Sequence, residues 1–252
     1  MNQRRPRRAS LVARIRAVGG IVVAFINTKG GVSKSTLAYN TACEYAQRGA
    51  RVLLINTDIQ QTVIDADAVR TRPAIITVIP YPHASIWEDL PRLSAGYDVV
   101  VIDGQGRNER ITRAVAAAMA LDEHGVILIP VSASPPDVWA TKRDMAPIVS
   151  AAAELANWRL KARTVLTRYV PNEVMTPAAR ESLAAAPVLA PPSVAEMERR
   201  TVYAKALNAG LGVCEYEPGG AAAAEISALA TEAAELALSE PEPKTEEEEN
   251  RS

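Results

Sequence analysis

The sequence predicts an α/β fold, a single domain in which helices cover both faces of a mostly parallel, twisted sheet. Short apolar runs alternate along the chain with longer helical stretches, and the connections between them are short. The runs are apolar throughout, which is typical of strands buried on both faces of a parallel sheet. Alternating strands and helices indicate βαβ units. A chain of 252 residues is long enough for one large domain of this kind.

The predicted elements follow from these patterns in chain order. Apolar runs such as IVVAFI and GVILIPV define the strands, which cover 21–26, 51–56, 75–79, 97–103, 125–131 and 163–167. Gly49 ends the first predicted helix as a C-cap glycine does. The predicted helices cover 35–48, 62–72, 85–93, 109–121, 136–156, 177–186, 194–208 and 221–239.

Charge is distributed unevenly along a chain whose formal net charge is only −1. That balance argues against a wholly basic nucleic-acid coat. Residues 1–16 hold six arginines and no acid, whereas 240–252 hold six glutamates against one lysine and one arginine. We therefore expect a basic, disordered extension at 1–18, a folded domain at 19–239 and an acidic, disordered tail at 240–252.

Cysteine usage and hydropathy exclude several classes of protein. Cys43 and Cys214 are far apart in the sequence, so neither a disulfide framework nor a C-x-x-C metal site is expected. A reducing, cytoplasmic compartment fits this pattern. No apolar stretch approaches the roughly 20 residues that span a membrane. The run at 21–26 is too short for the core of a secretion signal.

A loop rich in lysine and glycine follows the first predicted strand and precedes the first long helix. Converging backbone N–H groups and the helix dipole make such a loop a natural phosphate site. The ordinary pattern G-x-x-x-x-G-K-[ST] fails at Thr28 and Ser33, but the variant K-G-G-x-x-K-[ST] matches. This loop predicts a P-loop NTPase whose nucleotide contacts come from Lys29, Gly30, Gly31, Val32, Ser33, Lys34, Ser35 and Thr36.

Individual roles in this loop follow from charge and reach. Lys34 is expected to span the β- and γ-phosphates as a point charge. Ser35 is expected to place its hydroxyl on Mg²⁺, and Gly30 and Gly31 let the backbone approach the phosphates closely. Thr167 ends a predicted strand at the same edge of the sheet, and with Arg168 it is a candidate for bordering the adenine.

The segment KGGVSKST resembles the deviant Walker A box of the ParA/MinD superfamily. RVLLINTDIQQT resembles that superfamily's second-strand segment, and YDVVVIDGQG resembles its Walker B strand and switch. The C-terminal segments VSASPPD, RTVLTRYVP and RRTVYAKALNAGLGVCEYEPGGAAAAEI are most similar to short ParF-type plasmid partition ATPases. The resemblance covers about 20–238.

The resemblance implies catalytic roles for Lys29 and Asp58, and metal-binding roles for Ser35, Asp103 and Asp58. Lys29 would be the signature lysine that reaches the partner's ATP across a sandwich dimer. Asp58 would support hydrolysis near the attacking water, and Asp103 would hold Mg²⁺ through a water. Residues 104–106 would form the moving switch.

Three positions depart from the pattern of the superfamily. Ser33 stands where a glycine is usual, and if this position needs a positive φ, serine costs roughly 1–2 kcal/mol. Asn56 replaces the first acid of D-x-D and removes one negative charge beside the metal. Ile59 replaces a proline. These departures bear on affinity and turnover more than on which nucleotide binds.

The function implied is a bacterial, nucleoid-associated ATPase that uses ATP/ADP and Mg²⁺ to position cargo. ATP would close a homodimer, the dimer would bind DNA without reading its sequence, and a small adaptor of ribbon-helix-helix type would trigger otherwise slow hydrolysis. Plasmid partition is the leading interpretation. A carboxysome or another cargo, with a different adaptor, is an alternative, and so is a DNA scaffold that binds ATP with little hydrolysis.

Two further classes are disfavoured by particular features. A MinD-like membrane ATPase needs a basic amphipathic C-terminal helix, whereas this chain ends in PEPKTEEEENRS. An electron-transfer relative such as nitrogenase iron protein needs cluster-ligating cysteines at the switch, and 103–110 contains none.

Each group of charged residues outside these motifs has two possible interpretations. The N-terminal arginines are either an electrostatic arm for DNA or a solvated tail. Asp137 either caps a helix or lies at the dimer interface. The remaining set forms either a basic DNA-binding patch or scattered surface charge: Lys161, Arg163, Arg168, Arg199, Arg200 and Lys205.

Overall fold

A computed structural model describes residues 9–106, 109–186 and 189–243. Its strands form one seven-stranded sheet in the order β3-β2-β4-β1-β5-β6-β7, and every pairing between neighbours is parallel. The predicted α/β fold is confirmed. The strands are β1 (Ile21–Phe25), β2 (Val52–Asn56), β3 (Thr77–Pro80), β4 (Val99–Asp103), β5 (Gly125–Ser132), β6 (Ala162–Tyr169) and β7 (Met197–Glu198).

Helices connect the strands and cover both faces of the sheet. The helices are α1 (Leu11–Ala17), α2 (Lys34–Gln47), α3 (Thr62–Ala68), α4 (Ile86–Ser94), α5 (Glu109–Leu121), α6 (Pro135–Leu155), α7 (Met175–Ala184), α8 (Thr201–Asn208), α9 (Val213–Tyr216) and α10 (Ala221–Ala237). No helix in the described ranges has the length and apolar character that a bilayer crossing requires.

Two apolar cores lie on opposite faces of the sheet. On one face, α2 and α10 pack on the central strands, with Phe25, Tyr39 and Tyr45 fully buried. On the other face, α4, α5 and α6 pack around residues such as Ile102 and Met119. Every residue of β1, β2 and β4 is buried, which explains why these strands appear in the sequence as continuous apolar runs.

The register of the central strands determines where the loops meet. Phe25 at the end of β1 pairs with Asp103 at the end of β4, and Asp103 pairs with Asn56 at the end of β2. Three chain segments therefore leave the sheet at one level and on one edge. Ligands in open parallel sheets bind at this carboxyl edge.

The C-terminal third differs from the sequence prediction. The helix expected over 194–208 is interrupted, because Met197–Glu198 pairs with β6 as the edge strand and a helix begins only at Thr201. The short helix Val213–Tyr216 was not predicted. Both elements have only two to four residues, too few for apolar periodicity to be visible.

The prediction of a disordered extension is wrong for Leu11–Ala17, which forms a helix. Val12 and Ile15 are buried in the core, and the Ser10 hydroxyl accepts a hydrogen bond from the N–H of Ala13. Val12 and Ile15 are spaced as on one face of a helix, which indicates this element in the sequence. The neighbouring arginines instead gave the segment the composition of a charged, disordered extension. Residues 1–8 and 244–252 lie outside the described residues, so the expectations for the arginine cluster and the glutamate run stay predictions.

A buried ion pair holds the segment just after α3 against α9. The guanidinium of Arg70 contacts the carboxylate of Glu215 at 2.5 Å, and both side chains are only 3% exposed. Burial alone would raise the pKa of Glu215, but hydrogen bonds from Arg70 and from the N–H of Gly212 hold it below its usual range. The helix that follows the β2 loop is thereby fixed to the C-terminal half of the domain.

Asp98 attaches the N-terminal helix to the start of the sheet. Its buried carboxylate accepts hydrogen bonds from the Arg16 guanidinium at 2.9 Å and the Arg51 N–H at 2.8 Å. The Arg16 contact is the largest of the influences that lower the pKa of Asp98 to about 2, while burial opposes it. The pKa in the unfolded chain is higher, so this carboxylate stabilises the fold most when it is ionised.

Asp98→Asn is expected to lower the free energy of unfolding at pH 7 by about 1–3 kcal/mol, because charge-assisted hydrogen bonds are lost in a buried setting. In the wild type, the part of the free energy of unfolding that comes from ionised Asp98 is lost as the pH falls from about 4 toward 2. The variant should not show this pH-dependent loss. Urea unfolding at pH 7 and between pH 4 and 2 measures both effects. Equal unfolding midpoints for the two proteins at pH 7 would contradict this role.

Candidate functional site

The carboxyl edge of the sheet carries a cleft of about 1480 Å³. The loop after β1, the loop after β2 and the loop after β4 form one side of it, and the segment from Met197 to Asn208 forms the other. The structure brings together most of the predicted site residues here: Gly30, Gly31, Ser33, Lys34, Ser35, Thr36 and Asp58 line the cleft.

Asn27 fixes the start of the phosphate loop. Its buried side-chain amide donates to the carbonyl of Pro130 at 2.8 Å and to the Thr141 hydroxyl at 2.9 Å. Its carbonyl oxygen accepts the N–H of Lys29 at 2.9 Å. The loop is thus anchored to β5 and α6 before it reaches its glycines.

Two loop residues adopt the left-handed backbone conformation. Gly31 has φ = 79° and Ser33 has φ = 72°. Ser33 therefore has the positive φ for which the sequence analysis expected a cost. A serine in this conformation is strained by its Cβ, and a glycine would not be. The Ser33 carbonyl accepts the N–H of Leu37 at 2.9 Å, which begins the hydrogen-bond ladder of α2.

Lys34 is held inside the loop. Its ammonium group donates to the carbonyl of Lys29 at 2.8 Å, and the residue is buried. Burial lowers the pKa of Lys34, and the nearby carboxylates of Asp103 and Asp58 oppose that shift. The loop after β4 lies close by, because a Cβ added to Gly106 would lie 3.2 Å from the Lys34 Nζ.

Asp103 ends β4 with a fully buried carboxylate. Neither oxygen makes a hydrogen bond of ordinary geometry among the described residues. Burial raises the pKa of Asp103 to about 7, while the nearby Ser35 hydroxyl and Lys34 ammonium oppose the rise. A buried carboxylate without hydrogen-bond partners is costly unless it faces a cation or ordered water.

These donors fit a magnesium ion. Mg²⁺ binds through one or two carboxylates, waters and substrate phosphates rather than through an all-protein cage. Asp103 offers a buried carboxylate close to the hydroxyl of Ser35, which lines the cleft, and Asp58 lies near enough to affect the pKa of Asp103. Within the described ranges, no cluster of three or more His, Cys, Asp or Glu side chains provides another such site.

Asn56, where the superfamily pattern has an acid, uses its amide to shape the loop after β2. Its Nδ2 donates to the carbonyl of Asp58 at 2.8 Å, and its Oδ1 accepts the N–H of Asp58 at 3.1 Å. Asp58 itself accepts the N–H of Gln60 at 2.9 Å. Ile59, at the departure from proline, is 67% exposed on the cleft wall.

Thr57, which no sequence motif marks, joins the ends of β2 and β4 beside the cleft. Its hydroxyl donates to the carbonyl of Asp103 at 2.9 Å and accepts the N–H of Gln105 at 3.0 Å. The N–H of Gly104 donates to the carbonyl of Phe25 at 2.9 Å, and a Cβ on Gly104 would approach that oxygen to 2.5 Å. The ends of β1, β2 and β4 are therefore joined directly.

Lys29 pairs with Asp137 on the surface beside the cleft. The Lys29 Nζ lies 3.4 Å from a carboxylate oxygen of Asp137, and the lysine side chain is 43% exposed. Asp137 sits in the first turn of α6, whose N-cap is Ser134. Trp139, two residues after Asp137 on α6, is 65% exposed.

Thr167 lies beneath the phosphate loop, and its proposed place beside the adenine stays a prediction. It is fully buried, and its hydroxyl donates to the carbonyl of Val32 at 3.2 Å. Its neighbour Arg168 does line the cleft, with φ = 54° and a guanidinium that donates to the carbonyl of Gly31 at 2.9 Å. A buried hydroxyl and a strained arginine thus support the loop from β6.

The predicted basic set is only partly gathered on one surface, where Arg168, Arg199 and Arg200 line the cleft. Lys161 is buried and donates to the carbonyls of Glu123, Ala237 and Ser239. Arg200 forms ion pairs with Glu198 and Glu225. Among the predicted set, Arg168, Arg199 and Lys205 are exposed, and Arg168 and Arg199 line the cleft.

Comparison with known proteins gives the family. The model of the CobQ/CobB/MinD/ParA nucleotide binding domain matches residues 23–213. The chain belongs to this family. A maintenance of carboxysome distribution protein A from Halothiobacillus neapolitanus is 30% identical over 206 residues, which cover 81% of this chain and 91% of that protein.

Solved structures of family members share the fold. The septum site-determining protein MinD of Pyrococcus horikoshii OT3, complexed with Mg-ADP, matches with a TM-score of 0.66 and 16% identity over 86% of this chain and 97% of that chain. An ATP complex of an McdA variant from Cyanothece matches with a TM-score of 0.63 and 18% identity over 90% and 99%. The chain is thus a member of a family of ParA/MinD-type positioning ATPases.

Ser33→Gly is expected to raise the free energy of unfolding by up to about 1 kcal/mol, because glycine removes left-handed strain but loses more backbone entropy on folding. Gly31→Ala is the matched control and should lower it by about 1–2 kcal/mol, since it adds a Cβ at φ = 79°. Thermal unfolding compares the three proteins. Destabilisation by Ser33→Gly would contradict the strain assigned to this position.

Proposed function

We propose that this protein is an ATPase that positions cargo on DNA. It binds ATP with Mg²⁺ in the cleft, closes a homodimer around two nucleotides, holds DNA without reading its sequence and releases it after hydrolysis to ADP. The observation that carries this proposal is the buried Asp103 carboxylate, which makes no hydrogen bond of ordinary geometry among the described residues and lies near Ser35 and Lys34.

Different residues of the loop bind different parts of the triphosphate. Lys34 exchanges its bond to the Lys29 carbonyl for the β- and γ-phosphates. Backbone N–H groups from 30–36 point at the phosphates, with Gly31 allowing close approach. Ser35 and Asp103 hold the metal side, with Asp58 nearby. The bound Mg²⁺ supplies neutralisation of the developing phosphate charge.

Thr57 makes the loop after β4 sensitive to the nucleotide. Gln105 and Gly106 line the cleft, and Thr57 ties Gln105 to the end of β2, where Asp58 stands. A γ-phosphate that moves Gly106 therefore also moves Gln105 and the loop that carries Asp58. Such a loop is a two-state element of the kind that nucleotide switches use.

Lys29 acts across the dimer in this proposal. Its contact with Asp137 is long and partly exposed, so its loss costs no more than about 1 kcal/mol. Lys29 leaves Asp137 and reaches the nucleotide of the second copy when the two clefts face each other. Trp139, exposed on the same helix, would then be covered by the partner.

DNA binding is assigned to surface cations. Arg199 and Lys205 are exposed beside the cleft, and the arginines of 1–8 add a further basic segment. Contacts from such residues to phosphates carry no sequence information and weaken as salt rises. This arrangement would place the protein on the nucleoid in the bacterial cytoplasm, with no membrane partner.

Two kinds of cargo fit the proposed ATPase. The relative from Halothiobacillus neapolitanus is a carboxysome distribution protein, which supports a large protein body as cargo. A plasmid carried by a small ribbon-helix-helix adaptor is the other candidate. In either case an adaptor bound to the cargo would stimulate hydrolysis and release the dimer from DNA.

A DNA scaffold that binds ATP but hydrolyses it little is a second candidate function. It is favoured by Asn56, because the loop lacks one acid and both ends of the amide are committed to the Asp58 backbone. Turnover measured with and without DNA separates this scaffold from the switching ATPase.

Retention on random-sequence DNA at fixed salt is expected only with ATP·Mg²⁺, not with ADP·Mg²⁺ or without nucleotide. Lys29→Ala should lower that retention by at least about tenfold, because the dimer does not close. Asp137→Asn is the matched control, since it frees Lys29 and should retain ATP-dependent binding. Retention that ignores the nucleotide in all three proteins would reduce the proposal to DNA binding by the basic extension.

Thr57→Val preserves the side-chain volume but removes two hydrogen bonds, to the Asp103 carbonyl and from the Gln105 N–H. ATP turnover should fall about 10- to 100-fold, because the β4 loop loses its alignment. ATP affinity should stay close to that of the wild type, since Lys34 and Ser35 are untouched. Single-turnover hydrolysis and ATP titration measure the two quantities, and unchanged turnover would remove Thr57 from the switch.

A further inference from the structure

A second, apolar groove lies on the face of the domain covered by α4, α5 and α6. It has a volume of about 630 Å³ and runs over α5, which lies between α4 and α6 above the sheet. We call it the α5 groove. Its apolar lining comes chiefly from Trp87, Ala114, Ala117, Leu121, Ile148 and Leu155.

The walls of the α5 groove are shaped for an apolar ligand. Ala114 and Ala117, one turn apart on α5, leave a low floor. Trp87, Leu121 and Leu155 rise around it and are 47%, 52% and 53% exposed. Half-exposed bulky side chains grouped around one hollow are typical of interaction sites, whereas single exposed apolar residues need no explanation.

Charge distinguishes one end of the groove from the other. Arg110 and Arg113 stand on the first turns of α5 and line this end of the groove, as does Glu88 on α4. Glu109 contacts Arg113 at 2.5 Å, while Arg110 makes no ion pair with the described residues. A carboxylate on the ligand would therefore pair with Arg110 at this end, and the end at Leu121 and Leu155 would take apolar side chains alone.

The first turns of α5 also touch the nucleotide cleft. The Thr112 hydroxyl donates to the carbonyl of Gln105 at 3.2 Å, and Gln105 is bonded in turn to Thr57. The same loop places Gly106 next to Lys34. A ligand that shifts α5 therefore shifts the loop that faces the phosphates.

We propose that the α5 groove binds an amphipathic helical segment of a partner protein, and that its occupation changes the rate of ATP hydrolysis through α5. The segment carries apolar side chains at i, i+3 or i+4 and i+7 and a carboxylate near Arg110, the usual form of helix-in-groove recognition. The effect on hydrolysis rests on the function proposed above, whereas the binding does not.

The chain's own acidic tail does not match the groove. Glu242 pairs with Arg159, four residues after Leu155, so the tail leaves the described residues near the apolar end. The nine residues that follow, KTEEEENRS, contain no aliphatic or aromatic side chain to cover Trp87 and Leu121. A partner segment with an apolar face fits the lining, and the tail does not.

The test uses a display library of random 16-residue peptides selected on the full-length protein without nucleotide. Enriched peptides should share the apolar spacing and a terminal acid. Their affinity should fall at least about tenfold with Ala117→Trp, which fills the groove, and with Leu121→Asp on its rim. Ala153→Trp, the same change on α6 outside the groove lining, is the control and should bind normally.

Two further comparisons complete the test. Arg110→Glu should weaken binding, and a peptide with lysine in place of its acid should restore it. A selected peptide added to ATP and Mg²⁺ should change the turnover of wild type but not of Leu121→Asp. Binding without any change in turnover would overturn only the link to hydrolysis, and a separate ATP titration shows whether the cleft itself works.

Several outcomes would overturn the docking proposal. Selection that yields no peptide sensitive to Ala117→Trp and Leu121→Asp would remove the groove as a docking site. A change in sedimentation of the peptide-free protein with both variants would assign the groove to a second copy of the chain. Peptide binding that appears only after deletion of 244–252 would assign it to the tail.

Discussion

The site depends on one buried carboxylate at the end of a central strand. Asp103 is surrounded by β1 and β2, and its oxygens have neither water-accessible surface nor a hydrogen bond of ordinary geometry in the described residues. Desolvation of an ionised carboxylate is expensive unless a cation compensates it. The parallel register places the Asp103 carboxylate close to Lys34 and Ser35 of the phosphate loop.

Much of the surrounding structure positions this edge of the sheet. Asn27 anchors the phosphate loop to β5 and α6, and Thr167 supports it from β6. Thr57 joins the loop after β2 to the loop after β4. These bonds use neutral groups, so the charged residues of the loop stay available for ligand. The left-handed Ser33 shows that the same loop also carries backbone strain, as functional sites often do.

The sequence alone was sufficient for six of the seven strands and for the position of the loop after β1, because these depend on local signals. Strands buried on two faces produce apolar runs, and the loop has an unusual density of lysine and glycine. Thr57 could not be found this way, since its partners, Asp103 and Gln105, lie 46 and 48 residues away and nothing in the motif marks it. Thr167 was placed on the correct edge of the sheet, but its burial beneath Val32 depends on tertiary packing.

The helix at Leu11–Ala17 and the edge strand at Met197–Glu198 were missed for different reasons. The helix has apolar residues at helical spacing, but a cluster of arginines dominated its composition. The strand is too short to show a period, and its pairing with β6 is set by the packed domain. The prediction that Lys161 belongs to an exposed basic patch was also wrong, because its ammonium group is buried among backbone carbonyl groups.

Titration of ATP into wild type and Asp103→Asn, each with and without Mg²⁺, tests the central claim most directly. If Asp103 compensates its burial by facing the metal, Mg²⁺ should raise the affinity for ATP in the wild type by at least about tenfold. The same addition should have little effect in Asp103→Asn, which retains the fold and Lys34. An equal response to Mg²⁺ in the two proteins would contradict the account.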